Sequence, residues 1–152
     1  MSQPQSSRFV AIGECMVELS VAGDGLYRRG FAGDTFNTAW HFARQAPAGW
    51  LAAYLTGLGT DEMSEEMLGF FMASGIETDA VRRIEGASPG LYMIHLKDGE
   101  RSFSYWREMA AARRLAADED HLAEVFERGD AFYFSGITLA ILPPDGRDRL
   151  IR

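Results

Sequence analysis

Phe9-Val10-Ala11-Ile12, ended at once by Gly13-Glu14, sets the frame for the rest of the chain. Four consecutive apolar residues leave no polar face, the pattern of a strand covered on both sides in a parallel sheet. Trp50-Leu51-Ala52-Ala53-Tyr54-Leu55 and Ala131-Phe132-Tyr133-Phe134 repeat it, each followed by a turn containing glycine. Helical periodicity fills the intervals. Phe36, Ala39, Trp40 and Ala43 share one helical face, and Met63, Met67, Phe70, Phe71 and Ser74 share another. Gly75 is placed as a C-cap ahead of Ile76. A third helix is expected over residues 119–128, stopped by Gly129. Strand, helix, strand alternation predicts an α/β fold, doubly wound about a parallel sheet.

Two segments break the rhythm, and both are expected to be antiparallel strands. The first is residues 17–29. The second is residues 91–107, where two runs flank Lys97-Asp98-Gly99-Glu100, and an Asp-Gly pair there signals a tight hairpin turn. Alternation along its second arm places Phe103, Tyr105 and Arg107 on one face, opposite Ser102, Ser104 and Trp106. The expected organisation is a core of residues 8–16, 31–90 and 108–152, with an accessory sheet of residues 17–30 and 91–107. Pro143-Pro144-Asp145 starts a last helix, and Gly146 to Arg152 carries no helix-stop signal. The expectation is the N-terminal half of a longer chain.

The composition narrows the function classes. The 152 residues suffice for one domain. With 47% hydrophobic and 24% charged residues, a packed core is expected, not a disordered chain. A net charge of -7 repels phosphate backbones and anionic lipid, so neither nucleic acid nor membrane is expected as a partner. The single Cys15 rules out an internal disulfide and a multi-cysteine zinc site. The polar opening residues 1–7 hold no apolar run, and the expected location is cytoplasmic.

Gly30-Phe31-Ala32-Gly33-Asp34-Thr35-Phe36-Asn37-Thr38-Ala39 carries the most chemistry. Read as structure, it is a turn in which Asp34 or Thr35 caps the following helix. Read as function, it is a ligand loop, with Asp34 and Asn37 projecting from the first turn towards a polyhydroxy substrate. Tyr105 and Arg107 are either a surface pair or an anion reader, since a guanidinium offers a planar fork of donors to a carboxylate. Asp118-Glu119-Asp120-His121 has metal-ligand residue types, but acidic residues are expected at a helix start and no second histidine is near in sequence. Cys15 reads as a packed side chain. Glu14 stands at the C-terminal end of the first strand, the edge where parallel sheets bind ligands, and is a further candidate.

Gly13-Glu14-Cys15-Met16-Val17-Glu18-Leu19-Ser20, followed by Arg29 to Thr38, resembles the opening of a ribokinase-family carbohydrate kinase. Thr56-Gly57-Leu58-Gly59-Thr60-Asp61, Pro89-Gly90-Leu91-Tyr92, Tyr105-Trp106-Arg107 and Ser135-Gly136-Ile137-Thr138-Leu139-Ala140-Ile141-Leu142 are similar, within that family, to the 2-keto-3-deoxygluconate kinases. The resemblance runs in order from about residue 9 to the end. It implies a ribokinase-like core with an inserted antiparallel β-sheet lid, and transfer of the ATP γ-phosphoryl group to a sugar-acid hydroxyl with Mg²⁺. Residue by residue, it gives Gly33, Asp34 and Asn37 to the sugar hydroxyls. It brings Tyr92, Tyr105 and Arg107 from the lid, Arg107 nearest the carboxylate, and a homodimer joined through the lids. Two departures stand out. Ala32 replaces the first of a usual Gly-Gly pair, and the late Gly-Ala-Gly-Asp-type motif that supplies the base and anion hole does not occur. Asp34 is therefore not assigned as the base, no catalytic or metal residue is assigned, and the chain alone is expected to be inactive. The rival readings are another sugar kinase of the family, such as a fructokinase, and a non-catalytic sugar-acid binding module.

Overall fold

The computed structural model describes residues 6–152. β1 (Ser7–Ile12) leads through Gly13-Glu14-Cys15 into a hairpin of β2 (Met16–Gly23) and β3 (Leu26–Ala32), and α1 (Asp34–Gln45) follows directly. Next come β4 (Trp50–Leu55), the short β5 (Gly57–Leu58), α2 (Glu62–Ala73), and the two-residue strands β6 (Ile76–Glu77) and β7 (Arg82–Arg83). A second hairpin, β8 (Leu91–Lys97) and β9 (Glu100–Trp106), precedes a 3₁₀ turn at Ala111–Arg114. α3 (Glu119–Glu127), β10 (Ala131–Phe134), α4 (Gly136–Ile141) and α5 (Pro144–Ile151) complete the path.

The main sheet has the order β10-β1-β4-β6 and is parallel throughout. Helices cover both faces, as the unbroken apolar runs require. On one side Val10, Ile12, Ala53 and Leu55 meet Leu122, Val125, Ile141 and Leu150 from α3, α4 and α5. On the other, Ala11, Cys15 and Tyr54 meet Phe36 and Ala39 of α1 and Met67 and Phe71 of α2. β10 departs from the sequence expectation of two-sided cover. It pairs only with β1, and Phe132, Tyr133 and Phe134 remain 37%, 37% and 40% exposed. Apolarity along a strand records what it can bury, not whether a neighbour lies beside it among the described residues.

The second sheet has the order β3-β2-β8-β9. Both hairpins are antiparallel, as expected, and Asp98 and Gly99 at the second tip both adopt positive φ. The hairpins join through a parallel pair, Val17↔Leu91 and Glu18↔Tyr92, so the sheet as a whole is mixed. The reason is directional. Both leading strands depart from the same edge of the core, and the Val17 amide donates to the Gly90 carbonyl at 2.8 Å.

Local details correct the sequence reading in two places. Neither Asp34 nor Thr35 caps α1: the N-cap is Gly33, without a side-chain hydrogen bond. Thr35 instead turns inward, its hydroxyl 2.9 Å from the Tyr54 hydroxyl in the core. α4 is a six-residue helix that shows no readable periodicity and is set by its first turn. Ser135 accepts from the Thr138 amide while Thr138 Oγ1 accepts from the Ser135 amide, a reciprocal capping box. Among the described residues, no helix is long and apolar enough to cross a membrane.

Candidate functional site

The C-terminal end of β1 is where the ligand-loop, lid and core elements meet. Glu14, just past the strand, is 4% exposed. Gly33 packs its backbone against the Glu14 carbonyl so closely that a Cβ there would overlap it. That approach fixes where α1 starts, and it leaves Asp34 and Asn37, one turn apart on α1, exposed at the mouth. Gly90, at the entry to β8, closes the other side: a Cβ on it would lie 2.5 Å from Glu14 Oε1 and 3.1 Å from the Arg107 Cβ.

Arg107 reaches this point from the end of β9. Its Nη2 donates to Glu14 Oε2 in an ion pair whose side chains are 22% and 2% exposed. Glu14 Oε1 and Arg107 Nε are buried without a hydrogen-bond partner. Burial pushes the Glu14 carboxyl above its ordinary value, and the nearby Asp34 charge pushes the same way. The positive charges of Arg107 and Arg113 offset this only in part.

Three aromatic rings line one face of the second sheet. Tyr92 on β8 pairs in register with Tyr105 on β9, their ring centroids 6.0 Å apart, and Phe103 lies 6.1 Å from Tyr105. The Tyr92 hydroxyl donates to the Glu18 carboxylate on β2. Burial, that hydrogen bond and the Glu18 charge all raise the phenol, so Tyr92 stays a neutral donor. The Arg107 guanidinium carbon stands 5.8 Å from the Tyr105 ring centroid, within cation–π range.

The sequence-predicted residues do not all share one hollow. Tyr105 and Arg107 line a hollow of ≈ 450 Å³ together with Ser88, Pro89 and Met109. Asn37 lines a separate one with Thr38, His41 and Phe42. Glu14 touches both groups, with Gly33 packed against its carbonyl and Arg107 on its carboxylate. Arg113, whose charge reaches Glu14 from the 3₁₀ turn, escaped the sequence reading, because nothing in Ala111-Ala112-Arg113-Arg114 distinguishes it from a solvated arginine.

The other candidates resolve as structure. Asp118 is the N-cap of α3, accepting from the His121 amide at 3.1 Å, and His121 Nε2 lies 3.1 Å from the Ala80 carbonyl. Among the described residues no group of three or more His, Cys, Asp or Glu side chains is placed to hold a metal. Cys15 is buried in the core, and burial together with the Glu14 charge pushes its thiol well up, away from nucleophilic use.

Comparison with known proteins extends this picture. The 2-dehydro-3-deoxygluconokinase of Escherichia coli K12 is 43% identical over 150 residues, a match that takes in 96% of this chain and 48% of the relative. The chain thus spans about half the length of the curated relatives it matches. Among solved structures, the 2-dehydro-3-deoxygluconokinase of Thermotoga maritima superposes with a TM-score of 0.77 at 22% identity, over 90% of this chain and 43% of that one. An uncharacterized sugar kinase from Pyrococcus horikoshii in complex with ATP gives 0.77 at 18%, over 93% and 47%. These structural likenesses carry the ribokinase-like fold. The profile of the pfkB family of carbohydrate kinases matches residues 6–151, nearly every residue described above, and the chain accordingly belongs to that family.

Proposed function

We propose that this chain carries the sugar-binding part of an ATP-dependent kinase acting on the terminal hydroxyl of 2-keto-3-deoxygluconate (2-dehydro-3-deoxygluconate). The observation that carries the reading is the partly exposed Arg107 guanidinium, which lines a hollow with Tyr105 beside it. A fixed planar cation suits a sugar-acid carboxylate, whereas a neutral hexose would leave it facing nothing. Gly33 shapes the loop, Asp34 and Asn37 take sugar hydroxyls, and Tyr92 and Tyr105 reach the sugar from the second sheet, which acts as the lid. The 43% identity to a relative named for this substrate supports the choice.

Phosphoryl transfer depends on positioning and on neutralising charge, with a base taking the hydroxyl proton. This chain's residues serve the first of these: they orient the acceptor and keep its carboxylate end fixed. Ala32-Gly33-Asp34 is the nearest approach to a Gly-Ala-Gly-Asp-type motif, and it belongs to the sugar loop, so none of the 152 residues is given the base or anion-hole role. ATP, and the Mg²⁺ such transfer uses, fall outside the residues assigned. The exposed Leu26, Leu96 and Phe103 of the second sheet suit pairing of two lids in a cytoplasmic homodimer.

The test has two parts. Calorimetric titration of the 152-residue chain with 2-keto-3-deoxygluconate should give saturable binding, and an ATP-coupled assay of the same sample should give no turnover. Absence of binding would sink the substrate reading. Robust turnover would sink the assignment of base chemistry elsewhere than in these residues.

A further inference from the structure

We propose that Glu14 is a positioning residue for Arg107, its carboxylate fixing the guanidinium so that the remaining donors face the carboxylate of a bound sugar acid. The inference rests on the reading of Arg107 given above. Glu14, in the link from β1 to β2, and Arg107, just past β9, are 93 residues apart, yet one donor of the guanidinium is spent on Glu14 Oε2. The pair has a dry side and a wet side. Glu14 is closed off at 2% side-chain exposure, while Arg107 keeps 22% open towards the hollow with Ser88, Pro89 and Tyr105. An arginine has five donors, so an inner contact with Glu14 leaves outer ones for a ligand.

The surroundings hold Glu14 in place. Gly90 lies against Oε1 with no room for a Cβ, and Gly33 lies against the Glu14 carbonyl. The carboxylate is thus packed against the chain entering β8. Stability alone does not account for this arrangement. A buried ion pair gains little after desolvation, and this one leaves Glu14 Oε1 and Arg107 Nε unpartnered. What the pair does supply is a guanidinium already ordered before ligand arrives, which removes part of the rotamer entropy lost on binding.

The experiment titrates the 152-residue chain with 2-keto-3-deoxygluconate and with its uncharged amide, in wild type, Glu14→Gln, Glu14→Asp, Arg107→Ala and the Glu14→Asp/Arg107→Ala double variant. Glu14→Gln keeps an acceptor oxygen at the same reach and should keep the preference for the acid. Glu14→Asp is one methylene short and should lose roughly tenfold of that preference, with binding of the amide unchanged. On the Arg107→Ala background it should cost no further preference. Glu14→Asp with full preference, while Arg107→Ala abolishes it, would overturn the role of Glu14 and leave Arg107 as the reader. Equal weakening of acid and amide by Glu14→Asp would reduce Glu14 to a structural residue. An undiminished preference in Arg107→Ala would overturn the reading of Arg107 and this inference together. A second measurement needs no variant: guanidinium nitrogen resonances of Arg107 in the ligand-free wild type should show hindered rotation, and free rotation would contradict the proposal.

Discussion

Glu14 is charged, nearly inaccessible, and raised in pKa by burial. The native state therefore holds its proton more tightly than the unfolded chain does. The stability from this group is complete below the unfolded pKa and is lost as pH rises through the folded one. Glu14→Gln stays neutral throughout, so its stability relative to wild type should improve as pH rises out of the ordinary carboxylate range near about 4. Urea denaturation across that range checks it, and a flat or opposite trend would mean the Arg107 contact outweighs desolvation. Gly33 makes a complementary case. Its φ of -176° is open to any residue, so the constraint is space at the Glu14 carbonyl. Gly33→Ala should cost about 1–3 kcal/mol of stability by forcing the loop off β1. It should also weaken sugar binding, which calorimetry on the folded variant would show.

At the scale of elements, what was readable followed from local pattern and what was not depended on partners distant in sequence. β1, β4 and the helical faces of α1 and α2 stood out because runs and 3.6-residue periods need only neighbouring residues. The Asp98-Gly99 turn was readable for the same reason. α4 is under two turns long and its capping box involves ordinary residues, while β5, β6 and β7 have two residues each. The parallel seam between β2 and β8 could not be read, because alternation assigns faces and not partners. The ion pair of Glu14 and Arg107 was hidden by the 93 residues between them. The hairpin carries its own prediction. Gly99 sits at φ 82°, where a side chain costs about 1–2 kcal/mol. Gly99→Ala should speed amide hydrogen exchange along β8 and β9 with little change in the main sheet, as local opening would. In α4, Thr138 is buried, and its hydroxyl donates to the Ile12 carbonyl at 2.9 Å. Thr138→Val removes that bond and the acceptor of the Ser135 amide, and should lower global stability by about 1–3 kcal/mol, measured by thermal unfolding.

For the molecule as a whole, the two sheets divide the work: the parallel core fixes the strand ends, and the second sheet brings Tyr92, Tyr105 and Arg107 over them. The outer edge of β10 leaves Phe132, Tyr133 and Phe134 exposed beside Ile137 at 48%. An open apolar strand edge favours association. Light scattering should show association beyond a lid-paired dimer that rises with concentration, and Tyr133→Lys should suppress that further association without altering sugar binding. The central claim, that a sugar acid sits with its carboxylate on Arg107 and its hydroxyls towards Asp34 and Asn37, is tested most directly by a crystal structure of the chain with 2-keto-3-deoxygluconate. The carboxylate should lie within hydrogen-bonding distance of the Arg107 guanidinium, with Glu14 still behind it. A sugar bound with its carboxylate turned away from Arg107, or out of reach of Asp34 and Asn37, would contradict it.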